Sequence, residues 1–268
     1  MHLSFYSTIL PLPSVSIPLI TALPYETRQT PPTAPSTKSP AFLLAGDSTT
    51  ANTYSNQQGG WGRGFCATLK EPAVCVNLGH NGRTTKSFRD GPDWGWVLGN
   101  VTKFKGGHEV FVTIQFGHND QKESNGVTLA QYEQNLGRMA REVVQAGGTP
   151  ILTTPLTRRS FSSSTNKIKP DLAPFRAATL SAAARTGVYK VIDLNAKSEG
   201  YCNAIGEAAS HGYNLIEGDN THLNRRGGDV FGRMVSGLVL EAVGEEAVGQ
   251  WTVKDKETSG KIEAEEVA

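Results

Sequence analysis

Four short polar segments in this sequence of 268 residues carry side chains that together could cleave an ester. They are Gly46-Asp47-Ser48-Thr49, Gly79-His80-Asn81-Gly82, Gly117-His118-Asn119-Asp120 and Asp219-Asn220-Thr221-His222. Ester cleavage through a covalent intermediate needs a nucleophile, a base that accepts its proton, and hydrogen-bond donors for the oxyanion that develops. Each segment alone is typical of a turn or a helix cap, so only their combination indicates catalysis.

Ser48 is the predicted nucleophile, and Asp219 and His222 are predicted to complete a catalytic triad. The short spacing between Asp219 and His222 lets the carboxylate accept a hydrogen bond from the imidazole Nδ1–H, which leaves Nε2 to face Ser48. His118 competes for the role of the base, because it also follows a predicted strand. Its alternative role is to hold a loop by hydrogen bonding. The nearby carboxylate of Asp219 favours His222.

Three donors are predicted to stabilise the oxyanion: the Ser48 backbone N–H, the Gly79 backbone N–H and the Asn119 side-chain amide. We expect Ser48 where a strand turns into a helix, whose first N–H groups have no partner within the helix. Gly79 has no side chain, so its N–H can approach a substrate oxygen closely. The alternative role for Asn119 is that of a cap that stabilises a loop.

The elements that would position these side chains can be recognised from hydrophobic patterning. Short apolar runs that end near glycine or proline predict strands at 41–45, 73–78, 109–116, 150–154 and 189–194. Longer stretches between or after them predict helices at 128–146, 171–186 and 225–243. This alternation predicts an α/β fold with a parallel sheet that is covered on both faces. Ligands of such folds bind beyond the carboxyl ends of the strands, where the polar segments lie.

The chain is predicted to have three parts: a signal-like or disordered N-terminal segment at 1–40, one folded domain at 41–250, and a disordered polar tail at 251–268. The first part holds eight of the fourteen prolines. Residues 1–25 contain no Asp, Glu, Lys or Arg, so only His2 could supply charge, and prolines interrupt their apolar stretch. They would form an atypical signal peptide. We predict a secreted protein, with a cytoplasmic location as the alternative.

Charge and cysteine content narrow the classes of protein further. A formal net charge of +1 argues against a nucleic-acid partner, and no apolar run is long enough to predict a transmembrane helix. Cys66 and Cys75 are predicted to form a disulfide in an exported protein, and the alternative is two buried thiols. Cys202 would then have no partner. We expect a monomer.

These segments resemble the four sequence blocks of the SGNH (GDSL-like) hydrolases, in matching order over about residues 41–245. Finer features resemble the rhamnogalacturonan acetylesterase family: Gly60-Trp61-Gly62, the stretch 81–88, the stretch 115–120 and the stretch 154–159. The resemblance implies a single domain with a three-layer α/β/α flavodoxin-like fold. It also implies removal of acetyl groups from pectic polysaccharide without a metal or cofactor. Secreted members tend to have a second disulfide, which the unpaired Cys202 does not provide.

Polar side chains around the predicted site favour a carbohydrate substrate. Asn81, Arg83 and Arg158 are predicted to bind an acetylated polysaccharide, and the Arg158-Arg159 pair could bind uronic-acid carboxylates. Tryptophans 61, 94 and 96 could offer flat faces to sugar rings or could be part of the core. Two alternatives stay open: a lipase or lysophospholipase of the same superfamily, and a non-catalytic carbohydrate-binding protein on this scaffold.

Overall fold

A computed structural model describes residues 38–52, 59–188 and 190–252. The predictions for residues 1–37 and for the tail beyond residue 252 lie outside the described residues. The described part contains one sheet of five parallel strands in the order β2-β1-β3-β4-β5. The strands are β1 (Pro40–Gly46), β2 (Val74–Asn77), β3 (Glu109–Gln115), β4 (Thr149–Thr153) and β5 (Val191–Ile192).

Helices cover both faces of this sheet. They are α1 (Gly62–Cys66), α2 (Thr85–Asp90), α3 (Asp93–Phe104), α4 (Leu129–Ala146), α5 (Ala173–Thr186), α6 (Leu194–His211), α7 (Arg225–Val243) and α8 (Glu245–Val248). Leu43 of β1 belongs to a core with side chains of α2 to α5, whereas Phe42 and Leu44 belong to a core with side chains of α1, α6 and α7. Successive strand residues point to opposite faces, so both faces of β1 are buried. The predicted three-layer α/β/α fold is confirmed.

The predicted strands differ from the observed ones mainly at β5. The prediction covered residues 189–194, but the strand contains only Val191–Ile192, and Tyr189 lies outside the described residues. Asp193 ends the strand because its carboxylate accepts the Ala196 N–H and caps α6. Helix α6 was not predicted. Gly206 interrupts the helix with a φ of 79°. The apolar residues before and after Gly206 therefore do not follow one helical period.

Helix α4 shows how local sequence sets the limits of an element. Thr128 caps its first turn in a reciprocal pair with Gln131, and Gly147 ends it in the left-handed conformation. Tyr132, Leu136, Met139 and Val143 form the predicted buried stripe. Leu129 and Val144, which the prediction included in this stripe, are exposed. Val143 and Val144 lie about 100° apart around the helix, so only one of them can face the sheet.

Close backbone contact between α1 and α7 joins two distant parts of the chain. A Cβ added at Gly64 of α1 would lie 2.0 Å from the Gly228 carbonyl oxygen of α7, and one at Gly232 would lie 2.4 Å from the Phe65 nitrogen. Only glycine allows this approach. The contact matters for function because α7 follows the Asp219–His222 segment and α1 follows Ser48.

Cys66, at the end of α1, and Cys75, in β2, form a disulfide with a Cα–Cα distance of 5.5 Å. This confirms the predicted pairing. Cys202 is a buried free thiol in α6. Within the part of the chain described here, no helix is both long and apolar enough to cross a bilayer.

Candidate active site

Ser48 lies in a tight turn directly after β1. The N–H groups of Thr50 and Ala51 both donate to the Asp47 carbonyl oxygen, at 3.1 and 3.0 Å. The sequence predicted that a helix begins here, but the structure shows this single turn at 47–51, and α1 begins only at Gly62. The Ser48 side chain therefore stands at the carboxyl end of β1, as expected, on a turn instead of a helix.

Gln115, the last residue of β3, anchors this turn. Its Oε1 accepts hydrogen bonds from Thr49 Oγ1 at 3.0 Å, Thr50 Oγ1 at 2.7 Å and Trp61 Nε1 at 3.1 Å. Trp61 is completely buried, so it is a core residue and cannot be one of the sugar-binding faces. A Cβ at Gly60 would lie 2.3 Å from the Thr49 carbonyl oxygen. The Gly60-Trp61-Gly62 motif therefore packs the chain against the Ser48 turn.

The structure brings Ser48, His222 and Asp219 together in a hydrogen-bonded chain. Ser48 Oγ lies 2.9 Å from His222 Nε2, and His222 Nδ1 lies 2.9 Å from Asp219 Oδ2. The other carboxylate oxygen of Asp219 accepts the N–H groups of Thr221 and His222, each at 3.0 Å. Burial opposes the charge on Asp219, but these bonds hold its pKa below the usual value. Ionised Asp219 fixes the Nδ1–H tautomer, which leaves Nε2 free to accept the Ser48 proton.

Arg159 supports this loop from inside the protein. It is fully buried, and its guanidinium donates to the His222 carbonyl oxygen at 2.8 Å and to Asn214 Oδ1 at 2.6 Å. Burial lowers the pKa of Arg159 to about 10. The sequence placed the Arg158-Arg159 pair among the substrate-binding groups, and burial removes Arg159 from that role. The pair itself was visible in the sequence, but nothing there indicates which arginine points inward.

Arg158, the predicted substrate ligand, is partly exposed beside the same loop. Its guanidinium donates to the Thr221 hydroxyl and, at 3.4 Å, to the His118 carbonyl oxygen. Thr221 lies between Asp219 and His222 in the sequence. Arg158 therefore holds the loop that carries the proposed base.

The three predicted oxyanion donors lie at the ends of β1, β2 and β3. Gly79 N–H donates to Asn77 Oδ1 at 3.0 Å, and Asn77 Nδ2 donates to the Thr50 carbonyl oxygen at 2.8 Å. Asn77 thus ties Gly79 to the Ser48 turn, a role that sequence reasoning missed. Asn119 Nδ2 donates to the Arg83 carbonyl oxygen at 3.1 Å. An amide has two N–H groups, so the second can still bind a substrate oxygen.

A second histidine–aspartate pair lies buried at the ends of β1 and β3. His118 is 2% exposed, and its Nδ1 lies 3.7 Å from Asp47 Oδ2. The other oxygen of Asp47 accepts the Thr49 N–H at 2.9 Å and the Thr49 hydroxyl at 2.8 Å. Burial lowers the pKa of His118, which keeps the imidazole neutral near pH 7. His118, the competing candidate for the base, is thus enclosed by protein.

Asp120 connects the end of β3 to α2. Its Oδ1 accepts the Thr85 N–H at 2.9 Å and the Thr85 hydroxyl at 2.6 Å. Burial raises the pKa of Asp120 to about 6. Asp120 thereby fixes the segment between Gly79 and α2, which contains the predicted substrate ligands.

Asn81 and Arg83, the remaining predicted substrate ligands, belong to that segment. Asn81 is exposed and lines a groove that borders Gly79. Arg83 Nε lies 2.9 Å from Asp93 Oδ2. Among residues 38–52, 59–188 and 190–252, no group of three or more His, Cys, Asp or Glu side chains is arranged to hold a metal ion.

Comparison with known families gives a match over most of the chain. The GDSL-like lipase/acylhydrolase family matches residues 44–230, a range that includes Ser48, Gly79, Asn119, Asp219 and His222.

Two curated proteins of Bacillus subtilis (strain 168) are similar in sequence. The uncharacterized esterase YxiM is 29% identical over 203 residues, which cover 72% of this chain and 50% of YxiM. The rhamnogalacturonan acetylesterase RhgT is 28% identical over 217 residues, which cover 76% of this chain and 89% of RhgT. The chain therefore spans about half the length of YxiM and most of the length of RhgT.

Two solved structures share the fold. The crystal structure of YxiM superposes with a TM-score of 0.65 at 25% identity, over 76% of this chain and 57% of the YxiM chain. The acetylxylan esterase Axe2 of Geobacillus stearothermophilus, solved as a catalytic mutant, superposes with a TM-score of 0.56 at 17% identity. That superposition covers 80% of this chain and 97% of the Axe2 chain.

Proposed function

The chain belongs to the GDSL-like lipase/acylhydrolase family, and from this premise we propose that it is a serine esterase that removes acetyl groups from a plant cell-wall polysaccharide of the rhamnogalacturonan type. One observation carries the proposal. The Ser48 hydroxyl, the His222 imidazole and the Asp219 carboxylate form one continuous chain with two distances of 2.9 Å. A serine hydroxyl needs such a base in order to attack a carbonyl carbon near neutral pH.

In the proposed acylation step, His222 Nε2 takes the Ser48 proton as Oγ attacks the acetyl carbonyl carbon. Negative charge develops on the carbonyl oxygen, where the Ser48 N–H and the second Asn119 N–H can donate to it. The Gly79 N–H can join them, either by sharing its hydrogen or by leaving Asn77 Oδ1. The sugar hydroxyl leaves with the proton from His222, and Ser48 keeps the acetyl group.

In the deacylation step, a water molecule gives a proton to the same His222 nitrogen and attacks the acetyl-enzyme. The same donors stabilise the second oxyanion, and acetate leaves as Ser48 recovers its proton. Asp219 stays ionised throughout, because its hydrogen bonds hold its pKa below the usual value despite burial. Its role is to keep Nδ1 protonated and to stabilise the imidazolium that forms in each step.

The relatives and the surroundings of Ser48 support a polysaccharide substrate. RhgT, at 28% identity, is named as a rhamnogalacturonan acetylesterase. The groove that borders Gly79 is lined partly by polar side chains, among them His80, Asn81 and Asp93. A more apolar cavity of about 520 Å³ lies at the start of β4, on the far edge of the sheet from Ser48. A long acyl chain would need apolar contacts next to the nucleophile.

The decisive test compares several substrates on one purified preparation. Acetate release is measured from acetylated rhamnogalacturonan and acetylated xylan, and kcat/KM is measured for nitrophenyl acetate, butyrate and octanoate. We expect acetate release from rhamnogalacturonan above that from xylan, and a kcat/KM that falls as the acyl chain lengthens. A kcat/KM that rises with chain length, without acetate release from either polymer, would favour the lipase alternative. Polymer binding without hydrolysis of any ester would favour the non-catalytic alternative.

We also propose that the protein is secreted, since its polysaccharide substrate is extracellular. The Cys66–Cys75 disulfide is consistent with an oxidising compartment. Fractionation of the producing cells, with mass mapping of unreduced peptides from each fraction, tests this. We expect bridged protein in the medium. Protein that remains in the cytoplasm with both thiols reduced would contradict secretion and leave the esterase proposal untouched.

A further inference from the structure

A groove of about 340 Å³ is lined by Gly79 and by the exposed side chain of Trp96, among other residues. Its volume is near the lower end of the ~300–1,000 Å³ that is usual for small-molecule sites. His80, Asn81 and Asp93 also line it. Because Gly79 is one of the proposed oxyanion donors, a ligand in this groove would lie beside the reacting ester.

Trp96 differs sharply from Trp94 on the same helix. Trp94 is 5% exposed, and its Nε1 donates to Glu142 at 2.6 Å, whereas Trp96 is 57% exposed. The two residues are about 200° apart around α3, so one faces the core and the other faces the groove. Gly99, the next residue on the exposed face, has no side chain that could cover the indole ring.

His80 offers the groove a polar group in a fixed orientation. Its Nδ1 lies 2.6 Å from Asp93 Oδ1, and Asp93 is only 2% exposed. Arg83 lies on the other oxygen of the same carboxylate, at 2.9 Å. A carboxylate only accepts hydrogen bonds, so Nδ1 carries a proton, and Nε2 is the ring atom left for a polar contact with a ligand. Asn81 adds an exposed amide, which can both donate and accept.

An exposed aromatic face next to preoriented polar groups is the chemistry that binds a sugar ring. The C–H face of a pyranose is apolar and can lie on an indole, while its hydroxyl groups need donors and acceptors at the edge. We propose that the groove between Gly79 and Trp96 is a carbohydrate subsite. It binds the sugar ring next to the acetylated one, with the ring on Trp96 and its hydroxyls on His80 Nε2 and Asn81. The subsite rests on the proposed function only in taking a polysaccharide as the substrate.

The subsite is tested by binding as well as by turnover, with the variants Trp96→Ala, Trp96→Phe and Asn81→Ala. Binding of de-esterified rhamnogalacturonan oligosaccharide is measured by calorimetry and needs no catalysis. Turnover is measured as kcat/KM on acetylated rhamnogalacturonan and on nitrophenyl acetate. Val144→Ala is the matched control, because Val144 is also 57% exposed and lies on α4, beside the far cavity.

We expect Trp96→Ala to weaken oligosaccharide binding about tenfold, since aromatic contacts contribute on the order of that factor. Its kcat/KM on the polymer should fall about tenfold further than on nitrophenyl acetate, mainly through KM. Trp96→Phe should recover most of the loss, Asn81→Ala should show a smaller selective loss, and Val144→Ala should show none. Equal binding by the wild type and Trp96→Ala would overturn the subsite. Wild-type protein that binds the oligosaccharide and cleaves no ester would leave the subsite standing and refute the esterase.

Discussion

Two histidine–aspartate pairs lie at the carboxyl edge of the sheet, and they differ in what surrounds them. In the pair His222–Asp219 the side chains are 35% and 22% exposed, and the imidazole reaches Ser48 at 2.9 Å. In the pair His118–Asp47 the side chains are 3% and 0% exposed, and the shortest distance between their charged groups is 3.7 Å. The first pair is partly exposed and contacts the proposed nucleophile, whereas the second is enclosed by protein.

The difference teaches that residue type and position at a strand end do not decide function. Burial opposes the charge on Asp47, yet His118 and the hydrogen bonds from Thr49 lower its pKa below the usual value. That pair is buried at the ends of β1 and β3, and Ser48 and Asn119 follow its two members in the sequence. We infer that His222–Asp219 moves protons and that His118–Asp47 positions the groups around them.

The largest expected effect comes from removing the proposed nucleophile, which tests whether the His222–Asp219 pair acts on Ser48. Ser48→Ala should lower kcat/KM for nitrophenyl acetate by at least ~10³-fold, because the members of a triad act as a unit. The thermal unfolding midpoint should stay near that of the wild type, since the side chain loses one hydroxyl. Near wild-type turnover in a preparation freed of contaminating esterases would remove Ser48 from the mechanism, and His222 with it.

Changing Asp219, the aspartate of the partly exposed pair, should have the next largest effect. Asp219→Asn keeps the shape of the side chain but replaces an acceptor with an amide, which favours the wrong imidazole tautomer. We expect kcat to fall about 10³–10⁴-fold, as loss of the orienting carboxylate does in serine proteases. Steady-state kinetics with a chromogenic acetate ester measures it. A loss of less than tenfold would mean that His222 does not need Asp219.

Asn119→Ala tests whether the residue after the buried His118 acts in catalysis or only in the structure. Its amide should bind the oxyanion more strongly than the ground-state carbonyl, so kcat should fall about 10²-fold while KM changes little. Asn119 donates to the Arg83 carbonyl oxygen and accepts from Lys122 Nζ at 2.9 Å. If it only stabilises its loop through these two bonds, the variant would instead melt earlier and keep its kcat at low temperature. Measuring both quantities on the same preparation separates the two roles.

The sequence predicted the parallel sheet, the helices on both its faces and the edge at which the polar residues meet. These features could be predicted because apolar runs that end at glycine are local signals. It did not predict the helices α1 to α3 or α6, whose apolar patterns are short or are broken by glycine. Within the site, it could not separate Arg158 from Arg159. It could not show that Asn77 bonds Thr50 or that Gln115 anchors the Ser48 turn. Those roles depend on residues 27 to 66 positions apart in the chain, which only the tertiary fold brings together.

Asp120, another buried carboxyl group at the end of β3, allows a test through the pH dependence of stability. Its pKa is raised by burial to about 6, so the folded state binds a proton more tightly than the unfolded chain. Stability therefore decreases as the pH rises from about 4 to about 6 and is lowest, for this group, above that range. Asp120→Asn has no carboxylate to titrate and so lacks this pH dependence. The free energy of unfolding of the variant, relative to that of the wild type, should rise by on the order of 3 kcal/mol between pH 4 and pH 8. Urea unfolding at each pH measures it. A stability difference that does not vary with pH would show that Asp120 titrates normally.

His118→Asn gives the smallest expected effect on activity and separates the two pairs most directly. The imidazole carries no proton for Ser48 in our interpretation, so kcat should stay within about tenfold of the wild type. Its loss leaves Asp47 with fewer favourable neighbours, which should cost about 2 kcal/mol in unfolding free energy.

The pH dependence of that cost has a definite sign. The lowered pKa of Asp47 gives stability that is present at neutral pH and is lost as the pH falls through that pKa. The lowered pKa of His118 makes the wild type less stable as the pH falls below the usual histidine value. The pKa of Asp47 lies below its usual value of 3.8, so its contribution is still present at pH 4. The stability deficit of His118→Asn should therefore shrink between pH 7 and pH 4 through the His118 effect alone. His108→Asn, at the opposite end of β3 and bonded to Ser39 at 2.9 Å, is the matched control and should leave kcat unchanged.

If His118→Asn instead loses activity at least ~10³-fold at an unchanged unfolding midpoint, as a reacting group would, then burial has not separated the two histidines and His118 takes part in the proton transfer.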